Sequence, residues 1–190
     1  IRDNALAARF APVILGHELY GAPVRLLYRM ARNPTGEIHI AYHPFYQDEK
    51  NPHEGFGAIL SRVIYSGGYG LKNRLFGPAD IELIEVIVDA SGKPRLIAYE
   101  DVKNYKPGSF SVQHYAVSVQ NPLPPFCFEI KTWNHLVAQR PADLCKSAKA
   151  LSPEYFTEEE WLKYKMVKKS EAILRRNRVH RQYERVAAPL

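Results

Sequence analysis

Two acidic residues stand two positions apart at the start of the most apolar strand-like segment of the chain. Asp80 and Glu82 open the run Asp80–Asp89, which continues through isoleucine, leucine and valine. Residues two apart on a strand share a face, so both carboxylates are expected to point the same way. Paired carboxylates at a strand end can bind a hard cation such as Ca²⁺ or Mg²⁺. The alternative is that both acids are simply hydrated at an exposed strand end.

Histidines are the second group of candidate ligands. His39, His43 and His53 occur within fifteen residues of one another, close to several acidic side chains. The segment from 43 to 77 is rich in proline and glycine and is predicted to be a long loop. If that loop folds back toward Asp80, then His43 or His53 would complete a cation site with Asp80 and Glu82.

A nucleophilic mechanism is a weaker hypothesis. Trp133, Asn134 and His135 follow a predicted strand that carries Cys127, so a histidine base with an asparagine beside it can be imagined. No flanking signature of a cysteine hydrolase accompanies them. The glycine-rich run 67–70 lacks the Lys-Ser/Thr ending of a phosphate-binding loop. No catalytic residue is therefore assigned.

Cys127 and Cys145 are the two cysteines of the chain. In an exported protein they could form one disulfide, and two separate buried thiols are the open alternative. No Cys-x-x-Cys occurs, which argues against a structural zinc site built on thiolates.

The pattern of strands and turns predicts a mainly β fold, an antiparallel β-sandwich. Short alternating segments are separated by Gly, Pro and Asn turns, and this spacing favours a sandwich over alternating strands and helices. The Asn33–Gly36 turn indicates a hairpin. The predicted strands are 24–30, 37–42, 80–89, 95–99, 110–119 and 125–133.

Helices are expected only near the two ends of the chain. Asp3 is a good N-cap for a short helix over 4–10, and Thr157–Glu160 is a capping box that opens a basic C-terminal helix. We therefore divide the chain into a sandwich domain, 1–150, and a helical extension, 151–190. The stretch 157–190 carries nine Lys/Arg against five Glu, which is +4 of the total charge of +6. Its thin apolar stripe and modest charge favour a solvated face and argue against a nucleic-acid-binding module.

The sequence also bears on location. It contains no run of eighteen apolar residues, so no transmembrane helix is predicted. The chain starts at Ile1 without a methionine, which is typical of a processed or trimmed terminus. A secreted or periplasmic location is the expectation.

Two short motifs resemble a known superfamily. The segment 6–13, Leu-Ala-Ala-Arg-Phe-Ala-Pro-Val, and the acids that lead into the 80–89 strand resemble the necrosis-inducing and vacuolar-sorting-like β-sandwich proteins. The turn at 92–94 and the strand 95–99 also fit, and the match spans roughly 5–137. Members carry a His-x-x-Asp-Trp-Glu or His-Glu-Gly-Asp-Trp-Glu motif whose histidine supports a metal site. Here Ile81 replaces the tryptophan and no histidine precedes Asp80.

The resemblance implies a β-sandwich binding protein. The leading prediction is a secreted or periplasmic protein that engages a lipid headgroup or a glycan, with Ca²⁺ or Mg²⁺ at Asp80 and Glu82. A metal-assisted hydrolase using the same acids and a loop histidine is the first alternative. A structural protein that pairs with a partner through 157–190 is the second.

Overall fold

A computed structural model describes residues 1–47, 50–63, 79–164 and 166. Its helices are α1 (Asn4–Arg9), α2 (Phe56–Arg62) and α3 (Glu158–Lys163), and a 3-10 helix spans Ala142–Cys145. Its strands are β1 (Val13–Leu15), β2 (Arg25–Arg32), β3 (Ile38–Tyr46), β4 (Asp80–Ile81), β5 (Ile84–Val88), β6 (Pro94–Val102), β7 (His114–Gln120), β8 (Cys127–Ile130), β9 (Val137–Arg140) and β10 (Pro153–Tyr155).

The strands form two sheets. The larger sheet has the order β10-β2-β3-β5-β6-β7, with β4 paired to the end of β3, and the smaller has the order β1-β8-β9. All pairs are antiparallel except β1 with β8 and β10 with β2. The two sheets share one apolar core, in which the rings of Tyr99 and Phe128 meet at 5.0 Å. The predicted class, a mainly β antiparallel sandwich, is confirmed.

Local sequence explains the centre of the larger sheet. The side chain of Asn33 accepts hydrogen bonds from the backbone of Thr35 and Glu37, and Gly36 adopts φ +89°, so the chain turns between β2 and β3. The run 80–89, predicted as one strand, is divided into β4 and β5, and all five residues of β5 are buried, as expected of a strand covered on both faces. Its one acid, Glu85, is accommodated because His39 Nδ1 lies 2.9 Å from Glu85 Oε1.

The segment predicted as a long loop is more regular than expected. Strand β3 continues through His43 and Pro44 to Tyr46, and α2 occupies Phe56–Arg62. Pro44 has no N–H to donate, but its carbonyl accepts the backbone N–H of Glu82 at 3.2 Å, so the strand still pairs at this position. Residues 48–49 and 64–77 of that predicted loop lie outside the described residues.

The described part of the C-terminal extension packs on the sandwich. Strand β10 adds to the larger sheet beside β2, and Thr157 caps α3 by accepting the N–H of Glu160. Trp161 of α3 is buried against the outer face of the sheet, in a cluster with Leu27 and Phe45. The predicted basic helix beyond position 166 lies outside the described residues.

One ion pair near the β2–β3 turn predicts acid sensitivity. Burial acts to raise the pKa of Glu37, but hydrogen bonds from Asn33 and Arg95 outweigh it and hold this pKa below its ordinary value of 4.5. The unfolded chain therefore binds more protons, and this contribution to stability is present above about pH 5 and lost as the pH falls. We expect Glu37→Gln to lower stability at pH 7 and to reduce the further loss between about pH 5 and pH 3. Urea unfolding across pH checks this; an unchanged pH profile would contradict it.

Candidate functional site

A buried carboxylate–histidine pair lies where the long β3 strand ends. Asp80 pairs with Tyr46 in the β3–β4 ladder, so their side chains share one face of the sheet. His135 reaches that face from the connection between β8 and β9. Its ring stacks on Tyr46 with centroids 3.8 Å apart and planes 6° apart. His135 Nδ1 lies 2.5 Å from Asp80 Oδ2.

The turn that holds His135 is stabilised by its own polar side chains. Thr132 Oγ1 donates to Asn134 Oδ1 and accepts from Leu136 N, and His135 N donates to the Thr132 carbonyl. His135 itself adopts the left-handed region at φ +59°. Asn134, the candidate orienting residue, bonds to Thr132 and to His114.

Both ring nitrogens of His135 are engaged. Nε2 lies 2.9 Å from the backbone carbonyl of Tyr20, which can only accept, so Nε2 carries a proton. Nδ1 is in hydrogen-bond contact with the Asp80 carboxyl group at 2.5 Å. Because both ring nitrogens are used in contacts within the protein, His135 positions its neighbours and is not placed to act as a general base on a ligand.

Tyr20 links this pair to a second polar group. The Tyr20 hydroxyl lies 2.7 Å from His53 Nε2 and 3.1 Å from the Tyr105 hydroxyl, and the His17 ring stacks on Tyr20 at 4.2 Å. Burial, together with the hydrogen bond to Tyr20, raises the pKa of Tyr105 above its usual range. The Tyr105 hydroxyl therefore keeps its proton at ordinary pH, and Tyr20 joins it to His53 in one network.

An open pocket of about 890 Å³ borders this network. Aromatic rings of Tyr20, Tyr46, His53 and His135 contribute to its wall. Six other lining residues are polar or charged, namely Glu18, Gln47, Lys50, Asn51, Glu54 and Arg62, and the rest are Leu19, Gly21, Ala22, Val24 and Pro52. The Arg62 guanidinium donates to the carbonyls of Asn51 and His53 at 2.8 and 2.7 Å, which fixes the loop that forms one side of the pocket.

The predicted cation ligands are only partly brought together. Asp80 and Glu82 are both near Tyr46: burial raises the pKa of the Tyr46 hydroxyl well above its usual value, and the two carboxylates add to that effect. His53 joins Asp80 only indirectly, through Tyr20 and His135. His43 lies on the opposite face of β3 from Tyr46, where its ring packs at 5.5 Å from Phe156 and from Trp161.

Within the described ranges, no group of three or more His, Cys, Asp or Glu side chains is close enough to hold a metal ion. The cation site at Asp80 and Glu82 stays a prediction. The histidine that does meet Asp80, His135, is 55 positions away in sequence, and the sequence analysis placed it in the weaker cysteine-hydrolase hypothesis.

Cys127 is not a free nucleophile. It forms a disulfide with Cys145, which joins β8 to the 3-10 helix. This decides between the two alternatives left open for the cysteines, and it removes the thiol that the cysteine-hydrolase hypothesis requires.

Comparison with known proteins gives no assignment: no family model, curated protein or solved structure matches the chain. None of the helices in the described residues is of a length and apolarity that would cross a bilayer. The fold and site define a two-sheet β domain with an open pocket lined by aromatic, polar and aliphatic residues.

Proposed function

We propose that this domain is a binding protein whose pocket takes a hydroxyl-rich ligand, a glycan. The observation that carries the proposal is the pocket wall, which contains aromatic rings and hydrogen-bonding side chains of both charges. Sugars present C–H faces that pack on aromatic rings and hydroxyls that both donate and accept. Tyr20 and His53 are half-buried, and Lys50 and Glu54 are exposed at the rim, so each can meet a ligand without refolding.

Two contacts favour binding over hydrolysis. His135 uses both ring nitrogens within the protein, and Cys127 is held in a disulfide. The disulfide also supports export, since such bonds persist in oxidising compartments. A secreted or periplasmic glycan-binding protein is therefore the function we propose, and Ca²⁺ or Mg²⁺ at Asp80 and Glu82 is a further part of that proposal.

The proposal predicts binding that depends on the pocket. On a glycan array followed by titration calorimetry, we expect Glu54→Gln to weaken the best ligand by about 3- to 30-fold, as the loss of a charged hydrogen bond does. Tyr20→Phe, which removes the hydroxyl shared with His53 and Tyr105, is expected to have an effect of similar size. Tyr115→Phe, an exposed tyrosine of β7 outside the pocket, is the matched control.

The same titration with Ca²⁺ and with chelator tests the cation. Loss of binding on chelation, reproduced by Asp80→Asn with metal present, would support a cation at Asp80 and Glu82. If the glycan affinity is the same with and without chelator, the cation is not part of the binding site. If no glycan binds, or if both pocket variants bind as the unmodified protein does, the glycan proposal is wrong.

A further inference from the structure

Strand β7 forms one end of the larger sheet and, among the described residues, pairs only with β6. It has seven residues, whereas β10 at the other end of that sheet has three. The strands at the ends of the smaller sheet, β1 and β9, have three and four. An edge strand presents backbone N–H and C=O groups that can pair with a further strand. Within the part of the chain that the structure describes, β7 is therefore the longest edge at which such pairing can occur.

The hydrogen bonds at the two ends of β7 show which of its backbone groups point outward. Lys103 N donates to the Gln113 carbonyl at 3.2 Å, and Asn121 N donates to the Arg95 carbonyl at 2.8 Å. Both pairs continue the β6–β7 register, in which hydrogen-bonded and non-bonded pairs alternate. The odd-numbered residues of β7 therefore bond to β6. The even-numbered residues direct their N–H and C=O groups to the outer edge, and they include the exposed Ala116, Ser118 and Gln120.

Strand β7 also lacks the features that protect an edge strand from pairing, which are shortness, proline and charged side chains. The opposite end of the same sheet has all three, because β10 is short, begins at Pro153 and carries Glu154, which forms an ion pair with Arg25. By contrast, β7 contains no proline, and no Asp, Glu, Lys or Arg occurs between Lys106 and Glu129. The edge of β7 is thus open to another strand, and that of β10 is not.

The chain itself supplies a strand that fits this edge. A two-fold axis at Val117 would place two copies of β7 antiparallel, with Ala116 of one copy opposite Ser118 of the other. Even-numbered residues then meet even-numbered residues, so each outward N–H faces an outward C=O. Tyr115 would lie opposite Val119, and an aromatic residue beside a β-branched one is a favourable cross-strand pair. No like charges would oppose one another along the strand.

We propose that two copies of the chain associate through their β7 edges, which joins the two larger sheets into one continuous sheet. The assembly closes at two copies, because the pairing uses the same edge of both and β10 protects the other end of each sheet. The proposal does not rest on the glycan pocket, whose lining residues do not include any of β7.

Sedimentation velocity of the full chain over a range of concentrations tests the association. We expect a monomer–dimer equilibrium. Ser118→Pro removes an outward N–H and no bond to β6, so it should lower the association constant by about tenfold or more, because each copy loses a ladder hydrogen bond and gains a bulky ring at the contact. Ser118→Ala keeps that N–H and is the matched control, so it should associate as the unmodified protein does.

Charge reversal tests the register independently of proline. Ala116→Lys/Ser118→Lys and Ala116→Glu/Ser118→Glu should each be monomeric at low salt, because like charges then face each other across the axis. An equimolar mixture of the two should form a mixed dimer, because opposite charges now meet. All variants should unfold at about the same temperature under conditions where the unmodified protein is monomeric, since both side chains are exposed.

Three results would overturn the proposal. The first is a chain that stays monomeric at every concentration, in which case the edge is left for an extended segment of another protein. The second is a dimer that Ser118→Pro and both charged variants leave intact, which would place the contact elsewhere. The third is growth beyond two copies, because the pairing would then not close. None of these results bears on glycan binding, which the calorimetric titration of the pocket variants measures separately.

Discussion

The His135→Ala variant is expected to lose about 3 kcal/mol of unfolding free energy, because it breaks a buried hydrogen-bonded pair and empties the space of a packed ring. The side chains of His135 and Asp80 are only 4% and 13% exposed. Removing the imidazole leaves the Asp80 carboxylate and the Tyr20 carbonyl without their donor, and it leaves a void against the Tyr46 ring. Each of these three effects destabilises the folded state and none affects the unfolded chain.

Urea unfolding at neutral pH measures this effect. His17→Ala is the matched control, because His17 also stacks on a tyrosine but is half-buried and bonds only within its own turn. We expect that control to cost less than about 1 kcal/mol. In a double-mutant cycle with Asp80→Ala, the pair should show a coupling of about 1–3 kcal/mol. Independent effects would contradict a direct bond between the two side chains.

Removing the disulfide is expected to cost about 3 kcal/mol. The bond between Cys127 and Cys145 closes a loop of 18 positions, and loop-closure entropy of the unfolded chain gives this magnitude. Alanine is the suitable replacement at both positions, because Cys127 is fully buried and Cys145 nearly so. A serine would add a buried hydroxyl with its own penalty.

Thermal and urea unfolding with and without reductant test this prediction. Reductant should lower the stability of the unmodified protein to about that of Cys127→Ala/Cys145→Ala and should leave the variant unchanged. Two free thiols on the untreated protein, detected with a thiol reagent under denaturing conditions, would contradict the disulfide.

The sequence predicted those features that depend on neighbouring residues. The Asn33–Gly36 turn follows from an asparagine side chain that bonds its own backbone, and the two helix starts follow from the caps Asp3 and Thr157. Strand β5 was recognisable because an apolar run of its length needs cover on both faces. The alternating segments and the turns between them also predicted the mainly β class.

The segment after Tyr42 was predicted to be a loop, and its described part is more regular than that. A proline and several glycines indicated a loop, whereas β3 continues to Tyr46 and a helix follows. Pro44 is compatible with β3 because a strand residue needs a backbone N–H only where the neighbouring strand offers an acceptor. Which positions those are depends on the partner strand and not on the sequence of β3. The extension also fixes which residues share a face, so it places His43 opposite the Tyr46–Asp80 face.

In the candidate site, too, neighbouring residues were predictable and contacts between distant residues were not. The sequence drew attention to Asp80 and Glu82 because two acids before an apolar strand are locally unusual. The contacts of Asp80 with His135 and of Tyr20 with Tyr105 could not be predicted from the sequence, because they span 55 and 85 positions. The residues around an isolated histidine do not encode which distant carboxylate it will meet. Only the packing of the β8–β9 turn against the end of β3, which buries both groups together, decides that partnership.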